Sequence, residues 1–186
     1  MAQTIEIFAG PNGSGKTTIS EIILRGRRNA IFFNSDRIAG GLAPIGHSAV
    51  QFEAGRFMIE NVMNAIRKKE SFAFETTFSG KLWYTHLKKA KEEGYKIVIY
   101  FVFVETINLS LQRIKQRVLT GGHDVPAKIV KRRFERTFDN LKRLYLPLAD
   151  EYFLINNTNS KARVVAEFKK GKLNVIDSKQ YKEVFL

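Results

Sequence analysis

Short runs of β-branched and aromatic residues alternate along the chain with stretches whose apolar positions recur every three or four residues. The runs Thr4–Phe8, Ala30–Phe33, Phe72–Phe74, Lys96–Val104 and Tyr152–Ile155 predict strands. Lys16–Leu24, Ser48–Lys69, Lys81–Glu93, Ile107–Leu119 and Ala127–Leu146 predict helices. Strand–helix alternation predicts an α/β fold, a mainly parallel sheet with helices on both faces. The longest apolar run, Ile97–Val104, has eight residues. That length suits a strand buried on both faces and falls far short of a membrane span. The tail, with Ala162–Phe168 and Leu173–Ile176 flanking Lys170-Gly171-Lys172, predicts a terminal hairpin without chemistry.

Ligands of such sheets bind beyond the carboxyl ends of the strands, so the residues that follow each strand carry the functional information. After the first strand, Gly10 to Thr17 reads Gly-Pro-Asn-Gly-Ser-Gly-Lys-Thr, with every fixed position of the G-x-x-x-x-G-K-[ST] phosphate loop filled. Gly10, Gly13 and Gly15 free the backbone to turn its N–H groups toward phosphate oxygens, with Pro11, Asn12 and Ser14 between them. Lys16 is placed for the β- and γ-phosphates, Thr17 for Mg²⁺, and Thr18 continues into the helix, whose positive end faces the anion. The expected cofactors are therefore ATP and Mg²⁺.

The later strand ends are also polar: Asn34-Ser35-Asp36-Arg37, Glu75-Thr76-Thr77, Glu105-Thr106 and Asn156-Asn157. Ser35, Asp36 and Thr106 each equally suit a helix N-cap. On the same sheet edge as a phosphate loop, however, Asp36 and Glu75 read as functional carboxylates, with Asp36 the candidate base. Arginines flank a Gly-Gly break between two helices, in Leu119-Thr-Gly-Gly-His-Asp-Val-Pro126. Arg113 and Arg117 lie on one side, and Arg132, Arg133 and Arg136 on the other. A flexible loop with arginines at both hinges predicts a lid that closes over phosphates and excludes water.

Composition narrows the picture. The chain has 186 residues, is 44% hydrophobic, and contains no cysteine and no low-complexity linker, so one domain over 1–186 is expected. The absence of disulfides and of a leader ahead of the first strand suits the cytoplasm. The net charge is +13, and Arg113 to Arg143 contributes +7 of it, ten Lys/Arg against Asp124, Glu135 and Asp139. That cluster calls for an anionic partner, whereas Lys88, Lys89 and Lys91 look like a solvated helix face.

Taken together, the phosphate loop, Asn34-Ser-Asp36, Glu75-Thr-Thr-Phe-Ser-Gly80, Arg117-Val-Leu-Thr-Gly-Gly-His-Asp-Val-Pro126 and Ala149-Asp-Glu151 resemble the zeta-toxin family of P-loop kinases. More narrowly, the pattern looks like that of the family's stand-alone bacterial ATPases with a Gly-Gly-His-Asp-Val-Pro lid. The resemblance covers about Gln3 to Asn157 and implies a P-loop kinase-type three-layer sandwich with a mainly parallel five-stranded sheet and an arginine-rich lid at about 117–133, to which the tail adds the hairpin at about 162–176. It implies catalytic roles for Lys16, Asp36 and Arg117. Glu75, with Thr76 beside it, takes the substrate-side position. His123 stands where the toxins carry a second arginine. Arg133, Arg132 or Arg136 are candidates to replace that arginine, and His123 reads either as a phosphate ligand or as a lid residue bonded to Asp124.

Three functions follow from these residues. The first is a kinase for a hydroxyl of a small molecule, in the family's pattern a UDP-N-acetylglucosamine-like nucleotide sugar, with an antitoxin protein as a possible partner. The second is a polynucleotide 5′-hydroxyl kinase, which the charge suits but the absence of interleaved basic and aromatic residues disfavours. The third is a non-catalytic ATP-binding regulator. No membrane partner is expected.

Overall fold

The structure is a computed structural model that describes residues 2–27, 30–35, 38, 47–122 and 124–186. In chain order the strands are β1 (Thr4–Ala9), β2 (Ile31–Phe33), β3 (Phe72–Thr76), β4 (Lys96–Phe103), β5 (Glu151–Asn156), β6 (Arg163–Lys169) and β7 (Lys172–Val175). The helices are α1 (Lys16–Leu24), α2 (His47–Arg67), α3 (Leu82–Glu92), α4 (Ile107–Leu119), α5 (Ala127–Asn140) and α6 (Ser178–Phe185). All strands join one sheet in the order β2-β3-β1-β4-β5-β6-β7. The first five run parallel, as β-x-β crossovers through helices require.

The sheet has seven strands rather than five, because the terminal hairpin pairs antiparallel with β5 and extends it. Lys170 and Gly171 both have positive φ, 52° and 73°, the pattern of a two-residue type I′ turn. The chain then adds α6, whose eight residues carry too short a pattern to stand out in the sequence. Asp177 caps it by accepting from the Gln180 N–H at 3.0 Å, and Phe185 inserts among Phe101, Phe103 and Phe138.

One sheet face holds the main core. There, Met58, Val62 and Ile66 of α2, Trp83 and Leu87 of α3, and Phe185 of α6 cover Ile5, Ile7, Phe74, Ile99 and Phe101. On the other face α1 packs Ile19 against Val102 and Ile155. The long helix expected to run to Leu146 ends at Asn140. It continues as a π turn over Leu141–Tyr145 and a 3₁₀ turn over Leu146–Leu148. Pro147, which lacks an N–H to continue a helix, lies in that last turn. The π turn holds Tyr145 against the loop after β3: its ring stacks on Phe78 at 3.6 Å and its hydroxyl donates to Gly80 O at 2.7 Å. Burial pushes the phenol up to about 12, so it remains a donor at physiological pH.

Lys91 is not simply solvated. Its ammonium donates to Leu148 O at 2.7 Å and to Asp150 Oδ1 at 3.1 Å, while Asp150 Oδ2 accepts from the N–H of buried Ile97 at 2.8 Å. The half-exposed ion pair adds little; the backbone bond matters more. Asp150→Ala leaves the Ile97 N–H without its acceptor and is expected to cost about 1–3 kcal/mol in urea unfolding. Lys91→Met is expected to cost less, and equal losses would contradict this ranking.

Candidate functional site

The phosphate loop follows β1, the middle of the five parallel strands, and is confined by β4, α4 and the segment after β5. Gly13 and Gly15 have φ of 73° and 89°. A Cβ on Gly13 would lie 2.5 Å from Ser110 O, and one on Gly15 would lie 2.3 Å from Asn157 Nδ2. Only glycine fits where α4 and the segment after β5 press on the loop. Gly10 is as confined, since its Cβ would fall 1.9 Å from Val102 O. Asn157 also donates to Ser14 O at 2.8 Å, and Ser110 Oγ donates to Asn12 O. The loop is clamped from outside rather than held by its own turn alone. Asn12 Oδ1 and Ser14 Oγ are buried without a hydrogen-bond partner. Pro11 is buried, and Thr18 is exposed on α1.

At the start of α1, Lys16 is only 7% exposed, and its ammonium donates to Pro11 O at 2.9 Å. The helix has no side-chain cap and no acid in its first turn, which leaves its positive end to an external anion. Glu75, on β3 beside β1, sits opposite. Its Oε2 accepts from Thr17 Oγ1 at 2.9 Å and from Asn34 Nδ2 at 2.8 Å, and its Oε1 lies 4.0 Å from the Lys16 ammonium. Glu75 is thus a direct neighbour of the hydroxyl expected to bind metal, and it links the ends of β1, β2 and β3. Thr17 and Glu75 offer the hard oxygen donors that Mg²⁺ prefers, and the confined loop beside them suits a nucleotide's phosphates. Among the described residues no group of three or more His, Asp or Glu forms a ready-made metal cage.

A cavity of about 320 Å³ opens beside these groups. Lys16, Asn34, Glu75, Thr76, Arg117 and Arg133 form its polar wall, with Ser35, Thr77 and Asn12 nearby. The apolar part of the lining comes from Ala54, Gly55, Met58 and Ile59 of α2 and Leu82 and Trp83 of α3. Of the lid arginines the structure brings Arg117 and Arg133 to the cavity, whereas Arg132 and Arg136 are exposed away from it. Arg113 instead donates to Asn157 O at 2.8 Å and Thr158 O at 3.1 Å. Asp36 and His123 lie outside the described residues. Thr106 is a helix cap, accepting from the Leu109 N–H, and Glu105 accepts from Asn156. Trp83 is buried against Phe74 with a centroid separation of 4.6 Å, so packing is its main task and it reaches the cavity with one edge.

The Gly-Gly break is a built helix stop. Gly122 N–H donates to Arg117 O at 2.9 Å and Gly121 N–H to Val118 O at 3.0 Å, with Gly121 at φ 83°, a Schellman motif. A Cβ on Gly122 would lie 2.5 Å from Arg117 Cγ. Gly122 therefore lets the Arg117 side chain fold back under the loop, a positioning role that a reading of the glycines as a flexible hinge misses. The apolar wall was missed as well. Its one legible sign is Gly55, a helix-interior glycine whose added Cβ would meet no described atom within 4 Å.

Comparison with known proteins places this geometry. The family model described as Zeta toxin matches residues 2–170. An uncharacterized protein of Haemophilus influenzae is 33% identical over 129 residues, 68% of this chain and 89% of that one. Among solved structures, a chain of the AvrRxo1-ORF1:ORF2 complex with ATP superposes with a TM-score of 0.77 at 17% identity, over 100% of this chain and 64% of that chain. This chain therefore spans less than two thirds of that relative's length. A chain of the PezAT chromosomal toxin–antitoxin system of Streptococcus pneumoniae gives 0.65 at 15% identity, over 100% of this chain and 78% of that one. A putative kinase from Chloroflexus aurantiacus gives 0.62 at 17% identity, over 84% and 89%. At these identities the structures show a shared fold. Among the described residues no helix is long and apolar enough to cross a membrane. With its family match running over nearly the whole length, the chain belongs to the zeta toxin family.

Proposed function

We propose that this protein is an ATP-dependent kinase that transfers the γ-phosphoryl group to a hydroxyl of a small molecule. The observation that carries the reading is the convergence on one cavity of Lys16 and Glu75, bonded through Thr17, with Arg117 and Arg133 from both sides of the lid. Transfer of a phosphoryl group needs positioning and charge neutralisation more than covalent chemistry, and these groups offer both. Lys16 and the two arginines neutralise charge on the transferring group. Asp36, two residues beyond Asn34, takes the proton of the attacking hydroxyl as the β–γ P–O bond breaks and ADP leaves. Mg²⁺, held through Thr17 with Glu75 behind it, would supply further neutralisation of the phosphate charge. Thr76 and His123 border the acceptor.

The apolar part of the lining gives a small acceptor a second surface to rest on. A nucleotide sugar of the UDP-N-acetylglucosamine kind is the acceptor the family pattern favours. The AvrRxo1 and PezAT structures contain partner proteins, which supports an antitoxin-like partner for this chain. The exposed basic residues Lys128, Lys131, Arg132 and Arg136 of α5 favour a polynucleotide as the second reading. A polymeric acceptor would lose affinity steeply between low and physiological salt, and a small one only gently.

Asp36→Asn is expected to keep ATP binding by calorimetry and lose acceptor phosphorylation by roughly 10²–10⁴-fold. A helix cap would tolerate asparagine, so an unchanged rate removes Asp36 from the mechanism. Arg117→Ala is expected to lower kcat by about 10²-fold with ATP affinity nearly intact, and Arg117→Lys to recover little, since a point charge does not replace a planar fork. Arg132→Ala, away from the cavity, serves as the control and is expected to run near the wild-type rate. Gly122→Ala displaces the Arg117 side chain without touching ligand, and is expected to reproduce much of the Arg117→Ala loss in kcat. Wild-type turnover in Gly122→Ala would show that the Arg117 placement does not matter to the reaction.

A further inference from the structure

Residues 171–186 lie beyond the family match, yet they reach the phosphate loop through a continuous hydrogen-bonded path. Gln180 of α6 is 6% exposed and donates from its amide nitrogen to Glu105 Oε1. The same oxygen accepts from Asn156 Nδ2 at 2.8 Å. Asn156 Oδ1 accepts from the Thr158 N–H at 2.7 Å, and Thr158 Oγ1 accepts from the Glu105 N–H at 3.1 Å, which closes a ring between the ends of β4 and β5. Arg113 of α4 then grips Asn157 O and Thr158 O, and Asn157 donates to Ser14 O beside Gly15. From α6 to the phosphate loop, each link is a side chain bonded to its neighbour or a residue adjacent in the chain.

The end of this path on α6 is rigid. The Gln180 N–H is capped by Asp177, whose own N–H donates to Val165 O at 3.0 Å on β6, and Phe185 anchors the helix in the aromatic core. Gln180 Oε1 is buried and has no hydrogen-bond partner among the described residues. A leucine would fill this largely buried space without that cost, so the amide is poorly explained by packing alone. Its amide hydrogens are the groups put to use, facing Glu105.

We infer that Gln180 is a positioning residue for the nucleotide site, and that the C-terminal hairpin and α6 set the geometry of the phosphate loop through Glu105, Asn156 and Asn157. Gln180 touches no ligand. It holds Glu105, which holds the β5 end, which fixes Asn157 over Gly15. Loosening Gln180 lets the Asn157 clamp drift, and the loop then spends less time in the arrangement that receives phosphate. The effect falls on nucleotide affinity rather than on the chemical step. This rests on the reading of the loop as an ATP site, so the test includes a measurement made without nucleotide.

Deleting α6 would expose the Phe101–Phe103 core and is not informative; point variants avoid this. Gln180→Leu keeps the volume and removes the donor. Gln180→Glu sets a carboxylate against Glu105, whereas Gln180→Lys keeps a donor for the same Glu105 oxygen and leaves Asn156 its acceptor. In the full chain without nucleotide, Gln180→Leu and Gln180→Glu are expected to speed hydrogen exchange at the amides of Gly13, Ser14 and Gly15, and Gln180→Lys to stay near the wild-type rate. With ATP as the probe, calorimetry is expected to show Gln180→Leu and Gln180→Glu binding about three- to tenfold more weakly, with Gln180→Lys close to wild type. The apparent KM for ATP is expected to rise while kcat holds. A change in stability alone is not the signal: a lowered Tm with unchanged loop exchange and unchanged ATP affinity would reduce Gln180 to fold closure and overturn the inference. So would Gln180→Lys binding ATP no better than Gln180→Glu. Failure of the wild-type protein to bind ATP would instead overturn the nucleotide reading, while loop exchange still decides the coupling.

Discussion

One carboxylate holds the site together. Glu75 Oε2 receives Thr17 from the loop after β1 and Asn34 from the end of β2, and its other oxygen faces the Lys16 ammonium. A lysine as buried as Lys16 is costly unless charge and hydrogen bonds compensate it, and Glu75 and Pro11 O supply that compensation. The same contacts place a cation, a hydroxyl and a carboxylate at the mouth of one cavity. Everything else in the architecture keeps these strand ends in register: parallel pairing sets Phe8 beside Glu75 and Ala9 beside Thr76, so Glu75 arrives level with the start of the loop.

The lid side is tied to this centre through backbone carbonyls of the segment after β3. Thr137 of α5 donates to Thr77 O at 2.9 Å, Asn140 to Phe78 O at 2.8 Å, and Tyr145 to Gly80 O. Phe78 is held at φ 55°, a left-handed conformation unusual for a phenylalanine, with its ring stacked on Tyr145. The helix that carries Arg133 is therefore fastened one turn away to the strand end that carries Glu75. This makes the arginine side of the cavity a preorganised wall rather than a loop that must find its place.

The parts legible in the sequence were local or periodic. The phosphate loop is contiguous, and its flanking strand and helix show clear patterns, so Gly10 to Thr17 read directly. Glu75 was singled out because the sheet rule says where strand ends go, and Arg117 and Arg133 because they flank the Gly-Gly break between two helices. What escaped depended on contacts distant in sequence. Nothing near Gly122 shows that its missing side chain makes room for Arg117, and nothing near Lys91 points to Leu148 and Asp150. The π turn exists to bring Tyr145 to Phe78, some sixty-seven residues away in sequence. The helix after the hairpin escaped altogether, and its Gln180 bonds to Glu105, a pair that only the fold joins.

The central claim is that this cavity moves a phosphoryl group from ATP to a small hydroxyl compound. Incubation of the protein with ATP labelled with ¹⁸O in the γ-phosphoryl group and a small-molecule cell extract, followed by mass spectrometry, tests it most directly. The account predicts a labelled phosphomonoester that forms with wild-type protein and is lost with Lys16→Ala. Labelled inorganic phosphate as the sole product, or a phosphomonoester formed equally by Lys16→Ala, would contradict it.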